Sequence, residues 1–445
     1  MIVPRPALIL VAALTVIPLL GLAVSLPDYA PAFLGLLGLL ALVVIGDAVQ
    51  GRKLLRTVQV QLPDKVRWFQ NRPAKFDVMF LTTLAKGFPI RAALPLPRGL
   101  ESPREFLDFQ LPDGAGKHFV TSECTAKERG RFVIEGCYYE IASPLRFWDI
   151  RGHQAQSMEV RVYPNLEAER KQIATIFLRN RMGGSQAVRQ VGQGRDFEKL
   201  REYVPGDGYD TIHWKATARR GHPITKVFQI EKTQEVYVIL DASRLSSRLQ
   251  VPGDPSKGSH LDRYIAATLI LGLAAEKQGD LFGLMTFDDG ILNFVRARNG
   301  KEHYSACREA LYRLESKSVS PDFEEVASFI SMRLRRRALL IFMTDLDDPL
   351  LMESFQRAAN VISKKHLVMV HMLQAGNVQP VLSNAGVASV DDIYHDLAGH
   401  LAWHDLRKMT LALKQQGVGL SLFSKEQFSA QTVSNYLRVK QRQLL

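Results

Sequence analysis

Apolar residues run almost unbroken through the first fifty positions of the chain, then alternate with polar ones, then return as short isolated blocks. PALILVAALTVIPLLGLAVSL (6–26) carries no charge. At 1.5 Å per residue such a stretch is long enough to cross a hydrocarbon core of about 30 Å. APAFLGLLGLLALVVIG (30–46) repeats the pattern after a loop containing Asp28. AVS (23–25) resembles a cleavage site, but a second apolar run following at once favours a two-helix membrane hairpin over residues 1–50.

From 57 to 165 the period shortens. VQVQL (58–62), FDVMFLTTL (76–84), IRAALPL (90–96), RFVIEGCYYEIA (131–142) and SMEVRVYP (157–164) alternate or are rich in β-branched residues, and Pro-, Gly- and charge-rich turns separate them. This spacing predicts a β-sandwich-like domain, with 92–116 as loop or edge. LEAERKQIATIFLRNRM (166–182) has helical spacing, and GGSQAVRQVGQG (183–194) reads as a connector, so 166–232 forms a linking region. Over 233–445, apolar blocks alternate with helical segments. EVYVILD (235–241), LFGLMTF (281–287), ALLIFMTD (338–345), HLVMVHML (366–373) and GVGLSLF (417–423) predict strands buried on both faces. The fold class is α/β with an all-β domain, its parallel sheet covered by helices. Asp241 and Asp345 then fall at the carboxyl ends of strands, where such sheets bind ligands.

Charge sets the topology. Arg5 flanks the first apolar run, Arg52, Lys53 and Arg56 follow the second, and the loop between has neither Lys nor Arg. The positive-inside rule puts both termini in the cytoplasm, as expected of a multi-pass protein of a bacterial inner membrane. The net charge is +12, and residues 151–230 hold 14 Lys and Arg against 8 Asp and Glu. A basic face near a membrane attracts anionic lipid. Nucleic acid is not the expected partner, because no reader motif accompanies the charge. Cys124, Cys137 and Cys307 form no C-x-x-C pair or zinc spacing, which fits a reducing compartment.

LREYVPGDGYDTIHWKATARRG (200–221) has the period of neither strand nor helix. Together with the strand ending in Asp241, it resembles the signature of the domain of unknown function 58 (DUF58) family: Leu200, Arg201, Tyr203, Gly206, Asp207, Ile212, Trp214, Lys215, Ala218 and Arg219. RGRFVIEGCYYEIASPLRFWDIR and EVRVYPNL are similar to the family's β-rich segment. The family usually has arginines where Asp210 and Thr211 stand. The resemblance implies a membrane-tethered β-domain followed by a von Willebrand factor A-like domain, with a MoxR-type AAA+ ATPase as partner. It names no reaction.

An A-like domain of this kind commonly holds a divalent cation, Mg²⁺ being the expected one, in an Asp-x-Ser-x-Ser loop. Hard oxygen ligands suit that ion. Asp241 and Ser243 fit the loop, Leu245 stands in place of the second hydroxyl, and Ser246 and Ser247 are the nearest substitutes. Asp345, beside Thr344, fits the late acidic position, and Ser318 or Ser320 the remaining hydroxyl. The cation site is therefore degraded.

Other motifs are incomplete. His400 and His404 share a helix face, with Asp396 a turn earlier, but Leu401 stands where a metalloprotease needs Glu. GQGRDF (192–197) lacks a third glycine, and GDPSKGS (253–259) has Lys before Gly, the wrong order for a phosphate loop. No nucleotide and no catalytic residue is expected. The signature stretch reads as a structural interface in which Arg201, Lys215, Arg219 and Arg220 pair with Glu202, Asp207 and Asp210, clamping the β-domain to the A-like domain. The leading expectation is a membrane-anchored adaptor. A metal-dependent hydrolase and a basic membrane-surface or nucleic-acid binder are the alternatives.

Overall fold

The computed structural model describes residues 1–84, 87–182, 191–205, 207–229, 233–249, 258–374, 378 and 390–442, which divide into two compact units, Met1–Asn165 and Leu166–Leu445.

The first unit begins with strand β1 (Ile2–Pro4) and helices α1 (Pro6–Ser25) and α2 (Ala30–Arg56). Both helices are long and apolar enough to span a bilayer, and their apolar side chains are almost entirely uncovered. α2 outlasts its apolar run by ten residues, through GDAVQGRKLLR, and closes on Lys53 and Arg56, favourable at a helix carboxyl end. Nine further strands follow: β2 (Val58–Gln61), β3 (Lys65–Phe69), β4 (Pro73–Thr82), β5 (Pro89–Ala93), β6 (Leu100–Glu101), β7 (Leu107–Gln110), β8 (Gly116–Ala126), β9 (Gly130–Ala142) and β10 (Trp148–Tyr163). They form sheets ordered β2-β4-β8-β6 and β1-β10-β9-β5-β7, with β3 parallel to β10. Val58, Val78, Phe80 and Cys124 of one sheet share a core with Ile90, Ile134, Met158 and Val160 of the other, as in a sandwich. The sequence reading missed β1, β3, β6, β7 and β8. In β8 exposed Phe119 stands among the outward positions and polar His118 and Ser122 among the inward ones, which blurs the alternation.

The second unit starts with α3 (Glu167–Met182), which joins the core of this unit through Leu166 and Ile173. β11 (Val191–Glu202) and β12 (Ile224–Gln229) pair antiparallel around α4 (Trp214–Arg220). The expected connector thus ends inside a strand, and GQGRDF lies along β11. The remaining elements are β13 (Glu235–Asp241), α5 (His260–Lys277), β14 (Leu281–Phe287), β15 (Ile291–Arg298), α6 (Lys301–Tyr312), α7 (Phe323–Arg333), β16 (Leu339–Met343), α8 (Pro349–Ile362), β17 (Leu367–Leu373), α9 (Val390–Gln415), β18 (Gly419–Phe423) and α10 (Phe428–Gln441). The sheet order is β15-β14-β13-β16-β17-β18, parallel throughout except for β15. One apolar layer packs α3, α5, α6 and α10 on the sheet, and a second packs α7, α8 and α9 on its other face. This is a doubly wound fold whose strand order reverses between β13 and β16, the place where such sheets open a crevice.

Candidate functional site

β13 ends at Asp241 and β16 is followed directly by Thr344 and Asp345, so the two acids lie at the carboxyl ends of adjacent strands, at the topological switch point. β14 contributes a third, Asp288, immediately after Phe287. All three carboxyl groups are buried.

Each has an internal partner. The Asp241 carboxylate accepts the Thr344 hydroxyl at 2.5 Å and the Ser243 amide at 2.8 Å. Burial raises its pKa in spite of these bonds. Ser246 does turn back into the loop, but its hydroxyl donates to the Asp241 main-chain oxygen at 2.5 Å. Leu245 is buried and apolar. Ser318 and Ser320 are exposed, and the Ser320 hydroxyl meets Arg244 Nε at 3.4 Å.

The Asp345 carboxylate accepts Arg248 Nη1 at 2.7 Å, and the same nitrogen reaches Asp347 at 2.9 Å. Burial and the neighbouring Asp347 push the Asp345 pKa up to about 7 against the pull of Arg248. Burial also works against ionised Asp288, but the Lys317 ammonium 2.7 Å away outweighs it and holds that carboxyl below the ordinary range. At the rim, Asp348 caps α8 through the Leu350 amide and pairs with Arg244 at 3.4 Å.

A divalent ion needs several unclaimed oxygens at one point. Here Asp241 is bonded through both oxygens, the second hydroxyl is a buried leucine, and Asp345 faces a guanidinium. No cluster of three acidic, histidine or cysteine side chains suited to a metal occurs among the described residues. The residues present do not fit a cation of the expected kind, and Arg248 supplies the positive charge that one would bring. Its part was not legible beforehand, because the pairing spans 97 residues.

The signature stretch forms a folded unit of its own. Arg201 Nη2 meets Asp207 at 2.7 Å, and Asp207 accepts the Val204 amide at 3.1 Å, which together hold its carboxyl below the ordinary range. The Tyr203 and Tyr209 rings stack, with centroids 6.4 Å apart. His213 Nδ1 accepts the Ala216 amide to start α4, and Gly221, at φ +73°, ends it in a conformation that suits glycine. The anticipated clamp is largely absent: Lys215, Arg219 and Arg220 are exposed, and none makes an ion pair among the described residues. Trp214 is 69% and Tyr209 78% exposed, which the sequence reading did not anticipate. Gly206 lies outside the described residues.

The histidine pair gives no centre. His400 stacks on Trp403 at 5.8 Å, and His404 is an exposed neighbour of Asp405. The Asp396 side chain is outside the described set.

Residues 199–404 match the family model described as Protein of unknown function DUF58. Comparison with curated proteins gave no match. Among solved structures, the chain is similar to the SpRpn10 VWA domain at 10% identity, over 46% of this chain and 95% of that one, with a TM-score of 0.28. It is similar to the conserved hypothetical protein BatB of Bacteroides thetaiotaomicron at 15% identity, over 46% and 99%, with a TM-score of 0.28. It is also similar to proximal thread matrix protein 1 of the mussel byssus, whose MIDAS motif is occupied by zinc, at 9% identity, over 47% and 46%, with a TM-score of 0.27. The fold assignment rests on strand order and direction, not on these scores. The chain thus carries a DUF58 region at residues 199–404, and its second unit has the von Willebrand factor A-like fold.

Proposed function

We propose that the protein is a membrane-anchored adaptor of the bacterial inner membrane, with both termini in the cytoplasm. Its second unit docks a protein partner in the assembly or maturation of membrane or envelope complexes. The partner class implied by the DUF58 resemblance is a MoxR-type AAA+ ATPase.

One observation carries this reading. Within the family-matched segment, two large aromatic rings, Trp214 and Tyr209, face solvent beside Lys215 and Arg219. Tryptophan, tyrosine and arginine are the residues that dominate binding hot spots, and an exposed tryptophan with no intramolecular bond suits a partner's pocket. The switch-point carboxylates, by contrast, are already engaged, Asp241 by the Thr344 hydroxyl, Asp345 by Arg248 and Asp288 by Lys317. That favours docking over catalysis, and docking without a bridging cation. Basic Arg5, Arg52, Lys53 and Arg56 at one end of both helices support the orientation.

The test is affinity capture of the full-length protein from its native membrane in mild detergent, with Mg²⁺ and a slowly hydrolysed ATP analogue. A stoichiometric AAA+ ATPase, retained in EDTA and lost with Trp214→Ala or Arg219→Glu, supports the proposal. Capture that survives both substitutions removes the aromatic surface from the reading, and absence of any stoichiometric partner removes the adaptor.

A further inference from the structure

In the first unit, α2 does not merely lead into the β-domain. It lies against it along one face, through positions 44, 47 and 51, which share a side of the helix at the i, i+3, i+7 spacing. Trp148 Nε1 donates to the Val44 carbonyl at 2.9 Å, two residues inside the end of the apolar run. Asp47 accepts the Leu145 amide at 2.9 Å and the Ser143 hydroxyl. At Gly51 a Cβ would meet Ile150 Cδ1 at 2.3 Å and Ser143 Cβ at 3.2 Å, so the helix approaches as closely as glycine permits. The other apolar helix begins beside the same place: the Arg5 amide donates to the Phe147 carbonyl at 3.0 Å, and its guanidinium pairs with Asp149 at 3.0 Å.

The β9–β10 turn, Ser143–Trp148, therefore sits where one apolar helix starts and the other stops. What it presents there is a leucine 54% exposed, Leu145, next to an exposed arginine, Arg146. Arg146 has φ +61°, a left-handed conformation that glycine or asparagine adopts more readily. Its guanidinium makes no ion pair among the described residues. Exposed Arg52, Lys53 and Arg56 add basic charge at the carboxyl end of α2. Asp47, the carboxylate nearest this surface on the helix, is closed off by its bonds to the turn.

We infer that this turn is an anchor for anionic phospholipid. Leu145 enters the boundary between headgroups and acyl chains, and Arg146, with the basic end of α2, takes the headgroup phosphates. Guanidinium suits phosphate because its planar donors can pair with two oxygens at once. The headgroup layer, about 5–7 Å deep on each side of the hydrocarbon core, matches the position of the turn one helical step from the apolar boundary. The inference rests on the reading of α1 and α2 as a membrane hairpin.

The experiment uses the full-length protein in nanodiscs of phosphatidylcholine, alone or mixed with phosphatidylglycerol. Leu145→Cys takes an environment-sensitive fluorophore, and Pro144→Cys serves as a second site in case one substitution perturbs the turn. The native cysteines are buried, so labelling is directed to the new thiol. Leu39→Cys, midway along α2, reports on the hairpin itself. The expected result is quenching at 144 and 145 by brominated acyl chains, stronger when bromine is on phosphatidylglycerol. Arg146→Gln should reduce that preference roughly fivefold. A label at 39 in lipid with 144 and 145 both in water overturns the anchor and leaves the hairpin standing. All three labels in water overturn the hairpin and the anchor with it. Lipid contact at 145 with no preference for phosphatidylglycerol refutes the anionic site.

Discussion

Arg248 and Asp345 meet at 2.7 Å across the switch point of the sheet, a buried carboxylate held by a guanidinium that is itself half exposed. The pair takes the role that a cation would have in neutralising this edge. Wild-type protein should therefore show the same thermal midpoint with Mg²⁺ as with EDTA. Arg248→Ala leaves Asp345 buried and unpaired, and should cost about 3 kcal/mol or more. Stabilisation of the wild type by Mg²⁺ would show that Arg248 does not fill the site.

The pH dependence follows from Asp345. Its folded pKa, pushed up to about 7, lies above the usual value near 4 of an unfolded chain, so the folded state binds the proton more tightly. This contribution to stability is complete below about pH 4 and is lost as pH rises towards 7. Amide exchange in β13 and β16, corrected for intrinsic rate, should show weaker protection at pH 8 than at pH 5. Asp345→Asn should flatten that slope. A slope unchanged in the variant assigns the effect to other groups.

At the opposite edge of the same sheet, fully buried Asp280 accepts Lys440 Nζ at 2.7 Å, the Gln234 amide at 3.0 Å and the Tyr436 hydroxyl. These bonds fasten the last helix to the strand edge. Lys440→Met alone strands a buried carboxylate and should cost about 3–5 kcal/mol, whereas Asp280→Asn with Lys440→Met should recover part of the loss. Equal denaturation midpoints for the single and double variants would contradict this.

Gly51→Leu puts a better helix former in α2 but places a side chain where Ile150 and Ser143 already lie. Overpacking of this kind costs about 1–3 kcal/mol. The measurement is proteolytic nicking of the β9–β10 turn in detergent. Faster cleavage than in wild type is expected, and an unchanged rate would mean that the helix does not need this close approach.

The inner strands of the second unit were readable because burial on both faces leaves continuous apolar blocks such as VYVIL and LLIFM. The antiparallel edge strand was not. ILNFVRAR mixes Asn and Arg into its run, since an edge needs only partial cover, although the Asp288-Asp289-Gly290 turn before it was an available hairpin signal. Asp241 and Asp345 could be placed from the ends of their strands, but not their partners. Arg248 sits in a loop, and nothing local ties it to residues 97 positions away. Asp47 went unremarked for a similar reason: one acid past an apolar run gains meaning only when Ser143 and Leu145 arrive beside it. The signature stretch was visible as a unit, yet of the pairings expected for its charges the described residues show Arg201 with Asp207, while Lys215, Arg219 and Arg220 face solvent.

β1 also bears on the order of events during synthesis. Ile2 pairs with Ile150, so β1 leaves the ribosome well before the strand that complements it. At ordinary elongation rates that is a delay of roughly 10 s. Both apolar helices emerge within that interval, so insertion into the bilayer precedes closure of the sheet. The strand that seals the β-domain to the foot of the hairpin is made before both helices and secured after them. A folding factor acting on this chain would therefore find that edge open while the helices are already in place.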